Sequence, residues 1–130
     1  MSRVTIDTVT YDPTHDEYVL YLVEDGPWPT DDKSWDEMLA QIQTRVFDAI
    51  DVAVDGHLQT QYPDSVGKPV RIQVDSPHGM PEYLRDLVSR IRDHLGSDSQ
   101  YREAITSSRY AKGIRIVTGE EMGRFTAARH

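Results

Sequence analysis

The chain has no cysteine, which excludes disulfides, thiolate nucleophiles and cysteine-ligated zinc. It is short of positive charge: 14 lysines and arginines face 22 aspartates and glutamates, a formal net charge of −8. Non-specific nucleic-acid and anionic-membrane binding both draw on a positive surface, so neither is expected as a partner. Long hydrophobic runs are missing too. None approaches the ~20 apolar residues that a bilayer-spanning helix needs, and Met1-Ser2-Arg3-Val4 lacks the apolar region of a signal peptide. The expectation is a cytoplasmic protein without a cofactor of its own. The glycine patterns of nucleophile elbows, dinucleotide sites and phosphate loops are absent. The one Gly-Lys pair, Gly67-Lys68, runs into Pro69 rather than into a helix.

What is present reads as one globular domain: 130 residues, 38% hydrophobic and 28% charged. Residues 34–75 organise it. Trp35, Met38, Leu39, Ile42, Val46, Ala49, Ile50 and Ala53 recur at three- and four-residue steps, the stripe of an amphipathic helix over about residues 35–54. Ser34 followed by Glu37 has the form of a capping box at its start, and Gly56 stands where a helix leaves through a left-handed residue. After Pro69, Val70, Ile72 and Val74 alternate with polar residues, which predicts a strand.

Around this stretch, residues 4–11 and 17–24 predict a hairpin, with a bulge or a late start in its first strand because the apolar phase slips there. Pro81 opens a second helix with Tyr83, Leu84, Leu87, Val88, Ile91 and Leu95 inward, and Gly96 is expected to close it. A short helix within residues 97–108 and a last strand at 113–118 follow. Residues 119–130 hold little apolar content and are expected to form a mobile tail beyond a single domain at 1–118. The order predicts an α/β two-layer sandwich of the α+β type, ββαβα(α)β, with a mixed sheet and its helices on one face. Leu39, Ile42, Val46, Ile50, Val70, Ile72, Val74, Leu84, Leu87, Ile91, Ile114 and Ile116 form the expected core.

Chemistry is harder to find. Asp31, Asp32, Asp36 and Glu37 cluster where the helix macrodipole favours acids, and they lack the spacing of a calcium loop. The five histidines show neither H-x-x-x-H nor H-x-H spacing. Trp28, between Pro27 and Pro29, is a lid on the core edge or a loop contact. If Leu20, Leu22, Val70, Val74 and Ile116 face the helices, parity puts Val19, Tyr21, Val23, Arg71, Gln73, Arg115 and Val117 on the other face. A mixed aromatic, aliphatic and arginine surface has the composition of an interface. Val19, Tyr21, Val23, Arg71 and Arg115 are therefore the candidate contacts of a homodimer, with the arginines at its rim.

Several stretches together resemble a family of small bacterial α/β domains of unknown function. They are T-H-D-E-Y-V-L at residues 14–20, the loop tryptophan before the long helix, and D-G-H-L-Q-T-Q-Y-P-D-S-V-G-K-P-V-R-I-Q-V at residues 55–74. The likeness spans about residues 4–95. It implies the sandwich architecture and no particular activity. Function is thus expected to be a non-catalytic protein-binding or self-associating module, in one form an acidic antagonist of a basic protein. The alternative is a small enzyme or small-molecule binder with its site between the Trp28 loop and the crossing from Tyr62 to Lys68.

Overall fold

A computed structural model describes residues 6–77 and 79–122. Strands β1 (Thr8–Asp12) and β2 (Glu17–Val23) form the hairpin, followed by helix α1 (Asp32–Val54) and a one-turn helix α2 (His57–Gln61). Then come β3 (Lys68–Asp75), α3 (Glu82–Ser97), α4 (Ser99–Ser107) and β4 (Ala111–Thr118). The four strands lie in the order β1-β2-β3-β4. β1 is antiparallel to β2, and the β2–β3 and β3–β4 pairs are parallel. Both parallel crossovers step the same way across the sheet, so crossovers of one hand lay their helices on the same face. The result is the expected two-layer sandwich with a mixed sheet.

The core fills the space between that face and α1 and α3. Leu20, Leu22, Val70, Ile72, Val74 and Ile116 meet Ile42, Val46, Ile50, Leu84, Leu87 and Ile91, all buried. Leu39 and Ile114, expected among them, are only half-buried. Both stand at the margin of the packed layer, where one side of the residue still meets water. Among the described residues, no helix is long and apolar enough to cross a membrane.

Local chemistry explains most boundaries and moves three of them. α1 begins at Asp32, not after Ser34, because Asp31 is the cap: its carboxylate accepts the Ser34 N–H at 2.9 Å. Aspartate is as good a cap as serine and here stands three residues before a free N–H. Asp31→Ala should therefore lower the thermal midpoint by a few degrees, while Ser34→Ala should leave the cap in place. A melt in which Ser34→Ala is the more damaging of the two would overturn the assignment.

At the other end of α1, Gly56 has φ +101° and the Tyr110 ring lies against it, 3.0 Å from where a side chain would begin. Backbone angle and space both demand glycine there. Gly96, by contrast, lies inside α3. The chain turns at Asp98, whose carboxylate accepts the N–H groups of Gln100 and Tyr101 and so starts α4.

The register irregularity falls between β3 and β4 at Lys68 and Pro69, where proline has no N–H for the ladder. β1 starts late, at Thr8, as the phase slip predicts. Within the expected tail, residues 119–122 are helical. Thr118 caps them, its hydroxyl accepting the Glu121 N–H at 3.3 Å while the Glu121 carboxylate accepts the Thr118 N–H at 2.7 Å. That reciprocal pair is a capping box, and T-x-x-E is readable at residues 118–121. Residues 123–130 lie outside the described residues, as do Val4, Thr5 and His78.

Candidate functional site

Alternate rows of the sheet face away from the helices. The rows Val19–Arg71–Arg115 and Tyr21–Gln73–Val117 lie on that open side, so the candidate residues share one face as parity predicts. Glu17 precedes them on the same side of β2, and Asp12 stands opposite Glu17 at the end of β1. One Arg71 guanidinium nitrogen, Nη1, donates to both Asp12 Oδ2 and Glu17 Oε1 at 2.8 Å. Its Nε donates to Gln73 Oε1 at 3.1 Å, and Gln73 Nε2 passes the chain on to Asp75 at 2.9 Å. Arg115 forks onto Glu17 through Nε and Nη2 at 2.7 and 2.8 Å, the bidentate geometry of a strong ion pair.

Burial alone would push the Glu17 carboxyl up, but Arg115 and Arg71 outweigh it and hold the group below its ordinary range. Asp12 follows the same pattern. Burial opposes its charge, and hydrogen bonds from Arg71, His15 and two backbone N–H groups hold its carboxyl far below the usual value.

This network ties several of the expected interface residues to their own chain. Val19 is 0% exposed and Val117 7% exposed within their own chain, so neither offers an open apolar surface. Arg71 is buried at the centre rather than at a rim, and both arginines find their carboxylates in this chain. Of the side chains that motivated a homodimer, Tyr21 and Val23 are half-buried and Arg115 stays exposed, as a rim residue would. Glu17 is the residue that sequence reading missed. Its signal was parity, since it sits two residues before Val19 on the same side of the strand.

Asp12, His15 and Glu17 offer metal-ligand atoms within 4.8 Å of one another. The two guanidinium groups already balance both carboxylates, so a divalent cation would have to displace Arg71 and meet its repulsion. The trio is better suited to holding arginine than to holding a metal.

Trp28 is half-buried on the core edge and stacks on Trp35, with centroids 5.7 Å apart and planes 6° off parallel. Tyr83 meets Trp35 edge-on at 4.9 Å. This aromatic group sits where α1 and α3 begin. The crossing from Tyr62 to Lys68 lies at the far end of the sheet, with Tyr62 beside Tyr18 at the start of β2 and the Gly67 N–H bonded to the Tyr110 carbonyl. α1, 23 residues long, separates the two by about 34 Å at 1.5 Å per residue. The expected cleft between them therefore does not form.

A cavity of about 520 Å³ does lie between α3, α4 and β4, floored by Leu95, Ile105, Ile114 and Ile116. Arg92 beside it donates to the Ile116 carbonyl and pairs with Glu121. With the Thr118–Glu121 bond, that pairing caps the outer edge of β4 and blunts it against strand addition.

Charge is distributed unevenly over the helices. α1 carries Asp32, Asp36 and Glu37 in its first turns and Asp48 and Asp51 near its end, with Asp55 as its C-cap and no basic residue in its last turn. Of its two basic residues, Arg45 turns inward to Glu24 and Asp7. Burial, with Asp48 and Asp55 close by, pushes the Asp51 carboxyl up. Against known proteins, the chain matches no family model, no curated protein and no solved structure.

Proposed function

We propose that the chain is a non-catalytic protein-binding module whose partner is basic. The observation that carries this reading is the charge on α1. Negative charge in the last turn of a helix opposes the macrodipole, and acids three and four residues apart repel. Asp48, Asp51 and Asp55 repel in this way, and Asp51 lies in the last turn itself. Asp55 has a structural return, since its carboxylate accepts the His57 N–H and meets the His57 ring. Asp51 breaks the local rule, and such positions are where a functional demand is expected. A cationic surface docked on α1 relieves both penalties, and the surplus of acids over bases in the whole chain adds to its attraction.

The test is a titration with a short peptide of alternating arginine and glycine, followed by calorimetry. Binding should weaken about tenfold or more between roughly 50 and 200 mM salt, because exposed charges are screened over that range. The Asp48→Asn/Asp51→Asn variant should bind more weakly. Absence of binding at low salt would overturn the reading. Sedimentation of the chain alone at micromolar concentration separates it from self-association: a dimer that Tyr21→Glu dissolves would favour the homodimer instead.

A further inference from the structure

We propose that a cavity of about 500 Å³ at the starts of α1 and α3 receives an arginine side chain of the basic partner. Its walls are Trp35, Pro81, Glu82, Tyr83 and Asp86. Trp35 is the platform. Trp28 does not line the cavity but stacks flat against Trp35, which holds the indole in place while the cavity keeps access to it. Tyr83 stands edge-on to that ring, and its hydroxyl donates to Asp32 at 3.4 Å, tying the second aromatic to the acidic start of α1. Tyr83 is 46% exposed, so its ring is open to an incoming side chain.

The chemistry of the walls names the occupant. A cation over an aromatic face is attracted by the ring quadrupole, most strongly over tryptophan. The planar guanidinium also stacks on an indole and forks onto carboxylates, which an ammonium does less well. Glu82 and Asp86 supply exposed carboxylates on successive turns of α3. The basic side chain between them, Arg85, makes its hydrogen bonds to Glu120 at 2.6 and 3.0 Å and acts on Glu82 and Asp86 only through its charge, so their oxygens are not held by it. A cavity of this size takes a whole side chain rather than a bare ion.

This inference rests on the basic-partner reading and adds a second contact, at the opposite end of α1 from Asp48 and Asp51, with the residue type held there. The two tryptophans of the stack are the only two in the chain, so intrinsic fluorescence reports on the site directly. The arginine–glycine peptide should shift or quench that emission on binding. A lysine–glycine peptide of equal charge should bind more weakly, with a smaller change. Glu82→Gln/Asp86→Asn alters exposed positions and should keep the far-ultraviolet dichroism while weakening the arginine peptide about tenfold.

Equal binding by this variant with an unchanged spectral response overturns the cavity and leaves the basic-partner reading standing. So does lysine–glycine binding as tight as arginine–glycine. Failure of the unmodified chain to bind either peptide overturns both. A response to tetramethylammonium without any response to the peptides marks a small-cation site and overturns the inference as well.

Discussion

Glu17→Ala is expected to cost about 3–5 kcal/mol, because it strands two arginines that share one carboxylate on a largely buried face. For a domain of 130 residues that is a large part of the ~5–15 kcal/mol that usually holds a fold together. Arg71 keeps Asp12 and Gln73, so the damage is not complete, yet its side chain is only 5% exposed and cannot recover water easily. Arg115 is 43% exposed and can, so most of the loss belongs to Arg71. The double change Glu17→Ala/Arg71→Ala should cost less than the sum of the two single changes, since removing both members leaves no buried charge unpaired. A loss below ~1 kcal/mol for Glu17→Ala would mean that the pair behaves as an exposed one.

The same network sets a pH dependence. The Glu17 and Asp12 carboxyls are held below their ordinary values in the folded chain. Their stabilisation is complete above the ordinary carboxylate range and is lost as pH falls through the lowered folded values. Acid should therefore destabilise the protein, and Glu17→Gln should flatten part of that decline. Glu24 acts oppositely: burial raises its carboxyl despite Arg45. Its contribution works against the folded state once pH rises above the ordinary carboxylate range. Urea unfolding at a series of pH values reads both effects. An acid limb unchanged in Glu17→Gln would remove Glu17 from the explanation.

Ile72→Ala is the second large expectation, at about 2–5 kcal/mol from lost transfer energy and the cavity left behind. Ile72 is fully buried on β3, an interior strand, with Leu20 and Ile116 beside it on the same face. Strands on both sides and helices above leave little freedom to collapse into the space. Ile42→Ala on α1, also buried, falls in the same range, but a helix can shift toward the gap and reduce the cost. Equilibrium denaturation of both variants checks the ranking. A loss below ~0.5 kcal/mol for Ile72→Ala, the scatter of a surface change, would contradict the packing.

Much of the fold was legible in the sequence because it depends on periods. The stripe from Ile42 to Ala53 and the alternation of Val70, Ile72 and Val74 each record which side of an element avoids water, and the core follows. The co-facing of Val19, Arg71 and Arg115 was legible by the same parity. Two short signals were readable and were outranked by neighbours: Asp31 lost to Ser34 as a cap, and Thr118–Glu121 lost to the low apolar content after it.

The rest lay beyond any period. Local pattern says that Arg71 and Arg115 point away from the helices, but it does not say what they meet there. Their partner Glu17 is 54 residues from Arg71 and 98 from Arg115, and strand order brings them together. The Trp28–Trp35–Tyr83 group likewise needs α1 and α3 to start at the same end of the sheet. Periodicity reports the preference of one segment for water or core. The pairing of charges and rings depends on distances between segments, which exist only once the sheet has chosen its order and register.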